Sequence, residues 1–214
     1  MNPTLDPILN GRLQSEHRDE LLIDSGLSAQ TVLDAGISSV DRKKLHIELG
    51  FPVKHLSSAY RIPYFPASDF CRYRCFYILK NEKNREYVQK RNSSNRLYVP
   101  FLARKFLVDV QTPLYIVDEE RKALKACQEG LPCIATPGAW GWKKGSQLIE
   151  DFNLITLDGR TIYIVPDSDW QSPECNDGNK LFIFAVEGLA KKLKEKGAKV
   201  FIKQLPPRKE TTNG

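Results

Sequence analysis

The chain has 214 residues, of which 41% are hydrophobic and 27% charged, proportions of a globular protein that exclude a disordered or fibrous chain. No apolar run approaches the ~20 residues of a membrane span, and the opening MNPTLDPILNGRLQ lacks the basic start and apolar stretch of a secretory signal. The net charge of +6 is unevenly placed: residues 1–58 carry 6 Lys/Arg against 8 Asp/Glu, residues 59–112 carry 11 against 4, and residues 113–214 carry 15 against 14.

Three zones follow in chain order. Residues 1–58 read as a small helical unit. Ser28 and Ser39 stand where N-caps belong, before AQTVLDAG and VDRKKLHIELG, and Gly36 and Gly50 stand where each run stops. The acidic balance of this zone argues against DNA contact. Its three histidines, His17, His46 and His55, lie apart from any acid pair and suggest no metal site. Residues 59–112 read as a basic β-rich lobe. RIPYFPASDFCRYRCFYILKN has a hairpin pattern, and EYVQKRNSSNRLYVPF repeats strand, polar turn and strand. Arg72 and Arg74 fall on one strand face, opposite Tyr73 and Cys75, and the excess charge with interleaved aromatics suits a phosphate backbone. Cys71 and Cys75 share a face as packing residues. The five cysteines form no C-x-x-C pair, which points to reduced thiols in a cytoplasm.

Residues 113–205 alternate strand and helix, with a tail at 206–214. PLYIVD, LPCIATPG, TIYIVPDSD and AKVFIKQLP are strand-length apolar runs. ERKALKACQEG and GNKLFIFAVEGLAKKLKEKG are helical, the latter with a stripe of Phe182, Val186, Leu189 and Leu193, and GSQLIEDF suits a short helix. Such strands predict a parallel sheet covered by helices on both faces. Ligands gather at the carboxyl ends of such strands. Two of these ends are acidic, Asp118-Glu119-Glu120 after the first strand and Asp167-Ser168-Asp169 after the third. Two aspartates one residue apart at a strand end can reach one Mg²⁺ or Mn²⁺, and an acid from the neighbouring strand can act as general acid/base or hold a second ion. Thr136-Pro137-Gly138-Ala139-Trp140-Gly141-Trp142-Lys143-Lys144 offers close backbone approach, stacking platforms and cations for a nucleotide or single strand. The absence of a G-x-x-x-x-G-K-[ST] run excludes a P-loop motor.

The order strand, acidic turn, helix, strand, Pro-Gly-aromatic loop, strand, Asp-Ser-Asp, helix, strand resembles a TOPRIM fold. The segments HRDELLIDSGLSAQTVLDAGI, IPYFPASDFCRYRCFY, Tyr98-Val99-Pro100, YIVDEERKALKA, TPGAWGW, VPDSDW and AKVFIKQLP are similar to the TOPRIM-like family of uncharacterised domains in phage and plasmid replication proteins. The resemblance implies an α/β fold: a TOPRIM-like, mostly parallel four-stranded sheet flanked by helices, preceded by the helical unit and a primase-like basic lobe. It implies catalytic acids at Asp118, Asp167 and Asp169, with Mg²⁺ (or Mn²⁺) held by Asp167 and Asp169. Lys122 matches a basic position on the first helix. Arg72, Arg74, Lys122, Trp140, Lys143 and Lys144 are then the expected nucleic-acid contacts. The family generally places Glu-Gly where this chain has Asp118-Glu119, and it usually continues into a Gly-Asp-Asp-type stretch where this chain ends in LPPRKETTNG, as a short protein or the N-terminal piece of a longer one. The expected function is that of a primase-like module binding single-stranded DNA, nucleotides and Mg²⁺ for nucleotidyl transfer, partnered by a helicase or primase module. The alternatives are a catalytically weak nucleic-acid-binding module serving a helicase or polymerase, and a TOPRIM nuclease.

Overall fold

A computed structural model describes residues 6–65, 69–78, 85–167 and 178–206, and these form two compact units. The first comprises residues 1–94 with 99–101, the second residues 95–98 with 102–214.

In the first unit four helices, α1 (Asp6–Arg12), α2 (Ser15–Asp19), α3 (Ala29–Asp34) and α4 (Arg42–Leu49), accompany an antiparallel sheet of β1 (Ser38–Ser39), β2 (Leu56–Pro63), β3 (Cys71–Tyr77) and β4 (Tyr87–Gln89), in that order. Ser28 caps α3, its hydroxyl accepting from the Thr31 N–H at 3.1 Å. The cap of α4 is Asp41 rather than Ser39, because the Asp41 carboxylate reaches the Lys43 and Lys44 N–H groups at 2.8 and 3.3 Å. Ser39 instead lies in β1 and its hydroxyl serves His17. Gly50 ends α4 in the left-handed region at φ 75°, where a side chain would be strained.

The β2–β3 hairpin forms as its alternation demands. Tyr73 and Cys75 point into a core of Leu45, Leu49, Leu56 and Val88, and Cys71 packs against it. The opposite face is partly buried and carries polar groups. His17 bridges the Ser39 and Ser58 hydroxyls at 2.6 and 2.8 Å, while Glu20 accepts from the Tyr60 hydroxyl at 2.8 Å and from Arg74 at 2.9 Å. The helical zone and most of the basic zone therefore share one unit, since β1, α2 and the π-helical turn Glu20–Asp24 all close onto β2 and β3, while residues 95–98 and 102–112 belong to the second unit. The second expected hairpin does not form. β4 pairs only with β3, and Tyr98 exchanges backbone hydrogen bonds of 2.8 and 2.9 Å with Ala135 of the second unit's sheet.

The second unit contains β5 (Leu114–Val117), α5 (Glu120–Gln128), β6 (Cys133–Ala135), the small hairpin β7 (Lys143–Lys144) and β8 (Gln147–Leu148), β9 (Thr161–Ile164), α6 (Gly178–Glu195) and β10 (Lys199–Ile202). The segment expected as a helix, GSQLIEDF, gives β8 and a 3-10 turn at Glu150–Leu154, fixed where the Asp151 carboxylate accepts from Arg96 and the Leu97 N–H at 3.0 and 2.8 Å. The main sheet has the order β10-β9-β5-β6 and every pairing is parallel. Leu114, Ile116, Ile162 and Ile164 are buried on one face, where Val186, Leu189 and Leu193 of α6 form the expected stripe. Among the described residues no helix is long and apolar enough to cross a membrane, and Cys71, Cys75, Cys127 and Cys133 are free thiols.

Candidate functional site

Strand order reverses between β5 and β9: from β5 the chain steps outward to β6, and from β9 it steps the other way to β10. The carboxyl ends of the two strands at such a reversal splay apart and leave a crevice. Asp118 directly follows β5, and Asp167 follows β9 after Val165 and Pro166. Asp118, Val117, Thr136, Val165, Pro166 and Phe182 are among the residues lining a cleft there.

Lys122, on the first turn of α5, ties the two acids together. Its ammonium donates to Asp118 Oδ1 at 2.8 Å, one helical turn back, and also to Asp167 Oδ1. Burial pushes the Asp118 carboxyl up, with the neighbouring Asp167 charge adding to the effect and Lys122 opposing it. Burial pulls the Lys122 ammonium down, but Asp118 and Asp167 together outweigh it and the net shift is upward. Two carboxylates therefore converge on a single cation position. Their donor atoms are oxygens only, the set a hard divalent ion takes, so the residues present fit Mg²⁺ or Mn²⁺. Asp169 lies outside the described residues. Among the described residues no group of three His, Cys, Asp or Glu side chains forms a metal cluster.

The loop after β6 is built against this edge. The Thr136 N–H donates to Val117 O and the Gly138 N–H to Asp118 O, both at 2.9 Å. Gly141 has no room for a side chain, since a Cβ would lie 2.5 Å from the Pro137 ring and 2.6 Å from its carbonyl oxygen. The two tryptophans then diverge in role. Trp142 is 4% exposed and packs on Gly188 of α6, whereas Trp140 is 39% exposed. Their rings stack at 6.4 Å, and the Lys143 ammonium sits 4.1 Å from the Trp140 centroid. Lys144, next along β7, is exposed.

Arg72 and Arg74 lie in the first unit, on one face of β3 as expected, but they do not form an open cationic surface. Arg74 is 11% exposed, ion-paired to Glu20 at 2.9 Å and to Glu86 at 3.2 Å, and Arg72 lies over the Tyr87 ring at 4.9 Å. An isolated guanidinium cannot be buried cheaply, so this sheet face recruits Glu20 from the helical zone. The sequence offers no local sign of that pairing, which spans 54 positions. Thr136 and Gly138 also escape notice as supports of Asp118. Their signal is the Thr-Pro-Gly turn that follows a buried strand.

Comparison with known proteins bears on the second unit first. The family described as Domain of unknown function (DUF3854) matches residues 104–214, just over half of the chain. No curated protein matches. Among solved structures, a DNA primase domain from Pseudomonas aeruginosa is similar with a TM-score of 0.55 at 13% identity, over 95% of this chain and 70% of that one. At that identity the likeness is one of fold.

Proposed function

Because the chain belongs to the family described as Domain of unknown function (DUF3854), whose description assigns no chemistry, we propose its function from the site: a primase-like TOPRIM module of a DNA replication protein that adds nucleotides to a strand. The observation that carries this reading is the convergence of Asp118 and Asp167 on one cation position at the strand-order reversal. The fold shared with a DNA primase domain supports it. Asp167, joined by Asp169, would hold Mg²⁺, with Asp118 facing the same position. The ion would neutralise charge on a transferring phosphoryl group. Asp118, whose burial strengthens its hold on a proton, accepts the proton of the primer hydroxyl as that oxygen bonds to the α-phosphorus of a nucleoside triphosphate and pyrophosphate leaves. Trp140 receives a base on its exposed ring, and Lys143 and Lys144 meet phosphates beside it.

A second reading, a nucleic-acid-binding module without turnover, is favoured by one observation: Lys122 already neutralises part of the acid pair and competes with a metal for it. Incubation of the full chain with single-stranded DNA, labelled nucleotides and Mg²⁺ or Mn²⁺ separates the readings. Divalent-dependent extension that is lost in Asp167→Asn supports the first. Salt-sensitive binding with no product supports the second, and strand cleavage indicates a nuclease.

A further inference from the structure

Three aromatic rings stand in register across adjacent strands of the second unit. Tyr115 of β5 is paired with Tyr163 of β9, and Tyr163 with Phe201 of β10. The centroids are 5.1 Å apart for the two tyrosines and 5.6 Å for Tyr163 and Phe201, at interplanar angles of 29° and 33°. Alternation along β10 brings Lys199 and Lys203 to the same face as Phe201. The Lys203 N–H continues the ladder to Ile164 O at 2.8 Å, and its ammonium lies 5.1 Å from the Tyr163 ring centroid.

This face is open on the β9–β10 side. α6 packs on the other face, where Phe182, Val186 and Leu189 meet Ile116 and Ile164. Right-handed crossovers that step in opposite directions put α5 on the aromatic face, but over β5 and β6. Among the described residues no helix covers Tyr163 and Phe201 there, and Phe201 is 51% exposed. Strands of a covered parallel sheet carry Val, Ile and Leu on both faces. Here one face carries a stacked aromatic row, with Tyr163 between Tyr115 and Phe201, flanked by lysines instead. Lys199 and Lys203 are exposed, and among the described residues neither ammonium meets a carboxylate.

We propose that this face is a second contact for single-stranded DNA, with a base stacked on the exposed Phe201 ring at the end of the row and phosphates held by Lys199 and Lys203. The inference rests on the replication reading above for the identity of the strand. Charge selects the occupant. A second copy packed here about a two-fold axis would bring like-charged lysines together, whereas a polyanion with planar bases satisfies rings and ammonium groups at once.

Fluorescence anisotropy of labelled oligo(dT) with the full chain tests the platform, with ultraviolet crosslinks mapped by mass spectrometry. Phe201→Ala should weaken binding about tenfold, and Phe201→Trp should restore it. Lys199→Ala and Lys203→Ala should each lower the salt slope by about 0.7. Crosslinks should fall on Phe201. Unchanged affinity in Phe201→Ala, with crosslinks elsewhere, overturns the platform and leaves the replication reading standing. Loss of binding in Phe201→Ala in a chain that shows no Asp118-dependent incorporation supports the platform and removes the reading. Self-association abolished by Phe201→Ala without a change in oligonucleotide affinity also overturns the platform, in favour of a second copy.

Discussion

Glu20 with Arg74 in the first unit, and Asp118 with Lys122 and Asp167 in the second, both set carboxylates against a cation, in different surroundings. In the first, the Arg74 guanidinium faces Glu20 at 2.9 Å and the more exposed Glu86 at 3.2 Å; Glu20 and Arg74 are 10% and 11% exposed, and the remaining Glu20 oxygen is taken by the Tyr60 hydroxyl. The second is two carboxylates against one ammonium, with side chains 19%, 48% and 32% exposed. The enclosed Glu20–Arg74 pair holds a sheet face to the helical zone. The more exposed Asp118–Lys122–Asp167 set stands open to solvent at a crevice. Exposure, more than charge count, separates a structural charge cluster from a site.

The sharpest way to break this contrast is to neutralise one acid of each. Asp167→Asn should lower divalent-dependent nucleotide incorporation by about 10²- to 10³-fold while leaving the thermal midpoint close to that of the wild type. Asp118→Asn should do the same to turnover, because it removes a charge that burial already disfavours. A fall in stability as large as the fall in turnover would mean that the acid pair is structural.

Glu20→Ala should behave in the opposite way. It leaves the buried Arg74 guanidinium without its closest carboxylate, a change that costs about 3 kcal/mol in chemical denaturation. Incorporation per folded molecule should be unchanged. Charge reversal at Arg74 is for the same reason a test of folding before it is a test of DNA contact.

A smaller effect separates the regions by pH. Burial lowers the His17 imidazole below its usual 6.5, against the pull of Glu16 and Glu20. The unfolded chain then binds more protons than the native one in the window just below pH 6.5, so the first unit loses stability as pH falls through it. Asp118 is raised above 3.8, so the native chain holds the extra proton. The second unit therefore loses stability as pH rises from 3.8 through the raised value, and metal affinity rises over the same window. Hydrogen exchange read separately in β2 and β5 across pH 4 to 7 should show protection moving in opposite directions. Parallel changes would mean that these two groups do not govern it.

Much of this arrangement was legible in the residues, and the parts that were not share a cause. The alternation of apolar runs with helical stripes predicts the parallel strands, and the four-strand sheet has them. Acids placed directly after those runs arrive at one edge because a parallel sheet puts all its carboxyl ends together. Local chemistry also finds Ser28 and Gly50. What fails depends on distant partners. Ser39 has the form of a cap, but His17 and the Gln14 N–H take its hydroxyl, and Asp41 can reach two N–H groups. RLYVPF has the form of a strand, but Tyr98 finds Ala135 rather than β4. Arg74 reads as a surface cation because nothing near it in the sequence announces Glu20. Helices flank both faces as expected, but among the described residues none reaches Phe201, because α5 lies over β5 and β6.

Divalent-ion binding at the acid pair is measured directly by electron paramagnetic resonance of Mn²⁺ titrated into the full chain. Wild type should bind Mn²⁺, Asp167→Asn should bind about tenfold or more weakly, and Glu20→Gln should match wild type. Lys122→Met, which removes the competing ammonium, should bind more tightly than wild type. Equal affinity in wild type and Asp167→Asn, or no bound Mn²⁺ in either wild type or Lys122→Met, would contradict the account.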